Sequence, residues 1–179
     1  MILYHVSYKP IKNFILRVPK HRLVDEDNMT PRICCSTTIE NCIMAKPGQT
    51  EFLYLCMEHN LPCILYVYEF NVKSDDPNVI VPTQLQESNA VPDAEILQEY
   101  WLCNKIPEFK EYVFKVNDVF RSGDWLNRVE LTNEISKFDF LFVNLALDYE
   151  RKTGQPLNPN EVFPQIWDEI MQNLHKYRI

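Results

Sequence analysis

"CILYVYEF", residues 63–70, decides the fold. Its β-branched and aromatic side chains favour extended backbone. The run keeps no regular polar alternation, so both of its faces are apolar, which is what a strand in the middle of a sheet requires. Pro62 precedes it, and "NVKSDDPN" (71–78) follows as a turn rich in Asn, Asp, Ser and Pro. A central strand needs neighbours. "ILYHVS" (2–7) and "RICCS" (32–36) read as two, and "VIVP" as a brief third. "EYWLCNKI" (99–106) and "EYVFKVNDVF" (111–120) supply two more, joined around Pro107 as a hairpin or corner.

Helices fall between and after these strands. "TTIENCIMA" (37–45) opens with Thr37 and has Glu40 three residues on, a capping-box pattern, while Ile39, Cys42 and Ile43 share a face. "TEFLYLCMEH" (50–59) suits a second amphipathic helix that Pro62 ends, and "LQESNAVPDAE" (85–95) reads as polar loop. Residues 138–154 put Phe138, Leu141, Phe142, Leu145 and Tyr149 on one helical face, with Gly154 at the C-cap position. A last helix is predicted from Asn158 onward, with Pro159 at its first position and a stripe from Val162 to Leu174. Strands, two helices, more strands and a helical end predict an α+β fold with a largely antiparallel sheet.

The chain has 179 residues, enough for one domain with a sizeable core. No apolar run is long enough to span a bilayer and no signal-peptide pattern opens it, so a cytoplasmic protein is expected. Six cysteines, at 34, 35, 42, 56, 63 and 103, lie in apolar runs without CxxC pairing, which predicts reduced core thiols and no zinc site. The net charge of −7 argues against bulk nucleic-acid binding. Residues 1–32 nevertheless hold six Lys/Arg against three Asp/Glu, a basic patch sufficient for one anionic ligand.

With only three glycines, at 48, 123 and 154, no phosphate-cradling GxGxxG or P-loop is present, and no GxSxG occurs. What remains is dispersed. His5 lies on the first strand, Ser36–Thr37 at a strand-to-helix turn, Asp75–Asp76 in a turn, and Glu99 at the start of a later strand. In this order the pieces resemble the ADP-ribosyltransferase superfamily, and within it the rifamycin ADP-ribosyltransferases. That group has "YHGT" where this chain has "LYHVS", and "IYFS" with an Ala-containing helix where it has "ICCSTTIENCIMA". Its "YIYIVEP" strand and "DDPN" turn correspond to "CILYVYEFNVKSDDPN". The resemblance covers roughly residues 2–118. It implies an ADP-ribosyltransferase-like core over 1–120, with 121–179 as a helical C-terminal extension packed on it.

The resemblance implies NAD as the small-molecule substrate and His5 as its ribose-binding histidine, flanked by Tyr4 and Ser7. It puts Asp75 or Asp76 at the supporting acidic position. Cys34 stands where the family has an aromatic ring. Other branches use a glutamate at the start of a late strand, as Glu99 is placed, so two carboxylate candidates stand. The chemistry wants such a set. Breaking the nicotinamide–ribose bond leaves positive charge on the sugar that a carboxylate stabilises. A neutral histidine would donate to a ribose oxygen, Ser36 or Thr37 would bond the ribose or amide, and Arg17, Arg22 and Arg32 would meet the diphosphate. The expected reaction is transfer of ADP-ribose to an unknown acceptor, a protein among the options. Two alternatives stand beside it: an inactive scaffold of the same type that binds a protein, as a phage or mobile-element factor would, and an RNA 2′-phosphotransferase-like activity.

Overall fold

Both faces of residues 63–70 are covered in the computed structural model, which describes residues 1–20, 26–46 and 48–153. The strand β3 (Ile64–Asn71) lies between β1 (Ile2–Ser7) and β6 (Phe109–Ser122). With β2 (Ile33–Ser36), β4 (Val79–Ile80), β5 (Glu99–Leu102) and β7 (Trp125–Thr132) they form one seven-stranded sheet of order β4-β5-β2-β1-β3-β6-β7. Every pairing is antiparallel, so the protein is α+β, as the element order predicts.

The helices are α1 (Ile39–Met44), α2 (Gln49–Glu58), α3 (Pro82–Glu87), α4 (Ala94–Leu97) and α5 (Lys137–Thr153). Helix α1 is capped by Thr38, whose hydroxyl accepts from Asn41 N at 3.1 Å, and not by Thr37. Glu40 is thereby released from the predicted capping box. Its carboxylate accepts from the backbone N–H of Val129 at 3.0 Å, on edge strand β7. An open strand edge is a template for unwanted pairing, and this contact covers part of it.

Three further elements differ from expectation. The stretch read as polar loop carries α3 and α4, whose buried Leu85, Ala94 and Leu97 are spaced too sparsely to register as an amphipathic pattern. Residues 121–132, expected in a helical extension, are the end of β6 and all of β7. Ser122 pairs with Trp125 across a two-residue turn, in which Gly123 takes φ +60. Bulges between Val116 and Asp118 and between Phe120 and Arg121 break the period-two signal along the hairpin. The expected helix over 138–154 is α5, beginning one residue earlier. The Tyr149 side chain, the Gly154 cap and the whole predicted helix from Asn158 lie outside the described residues.

Two apolar clusters sandwich the sheet. On one face Val6, Leu65 and Val67 meet Ile43 of α1, Leu53 and Cys56 of α2, and Phe142 of α5. On the other, Leu3, Cys35, Tyr68 and Phe70 are covered by Ile11, Phe14 and Leu16 of the long β1–β2 connection. Each fully buried Leu or Phe contributes about 1.5–3 kcal/mol relative to exposure. A third cluster, Trp101 with Leu85, Val91 and Ala94, seats α3 and α4. Helix α5 is tied down at its start. Ser136 and Asp139 exchange backbone N–H bonds at 3.1 and 2.8 Å, and Lys115 of β6 donates to Asp139 at 2.8 Å. Burial pushes the Asp139 carboxyl up, but the Lys115 and Ser136 bonds outweigh it and hold the group below its ordinary value.

Candidate functional site

Segments 2–7, 32–36 and 63–70, and the first part of 99–106, stand side by side as β1, β2, β3 and β5. Residues directly opposite on neighbouring strands share a face, and adjacent residues on one strand point to opposite faces. Tyr4 is opposite Ser36 and Glu69, and Ser36 is opposite Glu99. His5 is opposite Tyr68, and Tyr68 is opposite Glu111. Tyr4, Ser36 and Glu99 therefore share one face, while His5 and Ser7 share the other with Tyr68 and Glu111. The sheet divides the predicted catalytic residues.

Glu99 is occupied and only 6 % exposed. Its carboxylate accepts from the indole N–H of Trp101 at 2.6 Å and from the Cys34 thiol, while burial pushes its pKa above the ordinary carboxylate value. Ser36 donates to the carbonyl of Leu97 at 2.8 Å, anchoring the end of α4. Arg32 is buried and stacked over the Trp101 ring at 3.7 Å, its Nη1 donating to the carbonyls of Asp27 and Thr30. It is thus built into the core and not presented to a diphosphate. Cys34 packs in the Trp101 cluster, its thiol pushed well up by burial. Asp76 holds its turn by accepting from Asn78 N and Nδ2, both at 2.9 Å, which keeps its carboxyl below the ordinary value. Asp75 is exposed in the same turn, at the Ile2 end of β1. Thr37 lies in the bend before the capping Thr38, and Arg22 lies outside the described residues.

His5 is placed differently. Its Nδ1 is 2.8 Å from the Cys34 carbonyl, and a carbonyl only accepts, so Nδ1 carries the proton. In the neutral ring Nε2 is then an acceptor, the reverse of the donor role expected from sequence. No described group bonds Nε2. Phe14 meets the ring edge-on with centroids 5.6 Å apart, and Tyr68 lies at 6.2 Å. Burial lowers the His5 pKa to about 4; the bond to Cys34 works against this, and Lys46 and Arg17 add to it. Ser7 accepts from Lys9 N, and the Tyr68 hydroxyl accepts from Ile11 N at 2.6 Å. The residues that sequence reasoning missed on this face are Phe14, Tyr66, Tyr68 and Glu111. The alternation of "LYVYEF" was the available signal, since it puts Tyr66 and Tyr68 on one side.

The lowered histidine pKa has a measurable consequence. On acidification the unfolded chain takes up its proton first, near 6.5, and the folded chain only near 4. The contribution of neutral His5 is complete above the unfolded value and is lost as pH falls between the two. Urea unfolding followed from about pH 7.5 down to about 4.5 should show a steeper loss for wild type than for His5→Gln. Parallel slopes in the two proteins would show that His5 titrates alike folded and unfolded.

No helix among the described residues is long and apolar enough to cross a membrane, and no cluster of His, Cys, Asp and Glu among them could hold a metal. In comparison with known proteins, no family model matches the chain, and no curated protein or solved structure matches it.

Proposed function

We propose that the chain is an ADP-ribosyltransferase-like protein that takes NAD against the His5 face of β1 and β3. The observation that carries the reading is the adjacency of β5, β2, β1 and β3. The strands of the three stretches that carry the likeness, 2–7, 33–36 and 63–70, and the strand that Glu99 opens are consecutive in one sheet. His5 supports it as well: a neutral ring whose Nε2 is an acceptor with no bonding partner among the described residues suits a ribose hydroxyl donor. On that face the carboxylate nearest in register is Glu111, two strands from His5 and so about 10 Å away at ordinary strand spacing. In this reading Glu111 replaces Asp76 and Glu99 as the group that stabilises positive charge on the ribose as nicotinamide leaves. Arg17, whose charge is felt at His5, supplies the cation for the diphosphate.

Titration calorimetry with NAD and an assay for released nicotinamide test this together. Wild type should bind NAD in the micromolar to millimolar range. His5→Ala should lose binding, and Glu111→Gln should retain binding but lose nicotinamide release by 10²-fold or more. Glu99→Gln should leave both unchanged. Absence of NAD binding by wild type at millimolar ligand overturns the reading.

One observation favours a second reading, a scaffold of this type that binds a partner without catalysis. Phe14 sits edge-on against the His5 ring, where a ribose would have to lie. NAD binding with no nicotinamide release from wild type or any variant would select it.

A further inference from the structure

The β1–β2 connection crosses the His5 face between two fixed points. At one, Ile11 N donates to the Tyr68 hydroxyl at 2.6 Å; at the other, Arg32 N donates to the Arg17 carbonyl at 3.0 Å. Between them, no hydrogen bond joins residues 12–16 to any other described residue. Lys12, Asn13 and Ile15 face solvent, and Ile15 is 71 % exposed. Two half-buried side chains, Phe14 and Leu16, hold the stretch down. The Phe14 ring meets Tyr68, Phe109, Phe70 and His5 edge-on, with centroids 4.9, 5.1, 5.5 and 5.6 Å apart. Edge-to-face pairs are favourable at such distances. A segment fixed at both ends and held between them by side-chain contacts alone opens locally for less free energy than the sheet beneath it needs to unfold.

We propose that residues 12–16 are a lid over the His5 face, latched by Phe14, and that a ligand enters only when Phe14 leaves its place among the four rings. The proposal rests on the reading of that face as the NAD site. Ile11 and Arg17 keep their bonds and act as hinges, so β1, β2 and β3 stay paired as the lid swings out. The Cys34 carbonyl, which fixes the proton on His5 Nδ1, stays in place with them. Withdrawal of Phe14 uncovers the His5 ring, whose Nε2 has no bonding partner among the described residues, and bares Tyr68, Phe70 and Phe109 as an aromatic floor beside it. While the lid is closed the site is filled, so the apparent affinity of wild type is lowered in proportion to the fraction of molecules that are open.

The first measurement needs no NAD. Diethyl pyrocarbonate acylates an accessible neutral imidazole, and mass spectrometry of the digested full chain follows each histidine separately. In Phe14→Ala the His5 rate should rise about tenfold over wild type, while exposed His59, the internal reference, keeps its rate. Titration calorimetry then adds NAD, which Phe14→Ala should bind about tenfold more tightly than wild type. Should Phe14→Ala not fold, Phe14→Leu, which keeps an apolar side chain but loses the ring, carries both expectations at smaller size. An unchanged His5 rate in the variants, or equal NAD affinity in wild type and variants, overturns the lid. A raised His5 rate with no NAD bound by any of the proteins upholds the lid and overturns the NAD reading instead.

Discussion

Arg32→Ala lowers the free energy of unfolding by about 3 kcal/mol, whereas Arg32→Met recovers more than half of that loss. The guanidinium is shut off from solvent, lies over Trp101 at 3.7 Å, and faces Glu26 at 3.7 Å and Asp27 at 3.4 Å. Removing it strands two partly buried carboxylates and opens a void against the indole. The Glu26 and Asp27 side chains are 12 % and 27 % exposed, so water relieves part of the penalty, and the expected loss sits at the low end for a broken buried pair. Methionine restores contact with Trp101 without the charge. Nε and Nη2 of Arg32 already lack hydrogen-bond partners among the described residues, so the native ion is imperfectly compensated. Urea unfolding at neutral pH measures both variants. For a chain of this size the alanine variant should melt about 6–12 °C lower. A loss below about 1 kcal/mol would mean that Arg32 is no more than a surface residue in energetic terms.

Phe142→Ala costs about 3–5 kcal/mol, and Phe140→Ala, two residues away on the same helix, costs less than about 1 kcal/mol. Phe142 is 2 % exposed within the cluster of Leu65, Val67, Val116 and Leu126, and Phe140 is 39 % exposed. The pair tests whether α5 belongs to the sheet's own core, since both substitutions remove the same ring from the same helix. Equal, small losses would detach α5 from that core. A single cooperative transition in wild type, monitored by both fluorescence and circular dichroism, should accompany the large loss.

β1 and β3 were legible because each is a short run rich in β-branched and aromatic residues, and β2 because Pro31 sets off an apolar Ile-Cys-Cys run, local patterns that tertiary contacts had no reason to override. The β6–β7 hairpin was not. Its bulges shift the period at Asp118 and Arg121, and exposed Phe120 and Trp125 stand where polar residues would mark the solvent side. Gly123–Asp124 was the local signal that went unused. Candidate site residues were harder still. A sequence reveals which residues are reactive in kind, but not which face of a sheet each takes when strands pair at a distance. The one register fact that Tyr4, and not His5, is opposite Ser36 separates His5 from Glu99. Nor does composition reveal that an arginine such as Arg32 is stacked in the core when its carboxylate partners lie five and six residues upstream.

The position of β1 carries a consequence for how the molecule is made. Its pairing with β3 runs from Ile2 with Asn71 to Ser7 with Tyr66. At roughly 5–20 residues per second, a ribosome delivers the β3 partner about 3–14 s after its β1 residue. Throughout that interval "ILYHVS" is a finished strand with one or both edges bare, and the contacts that reward it are long in sequence and slow to close. The segment at the centre of the completed sheet thus waits for β3 about as long as β2 waits for β5.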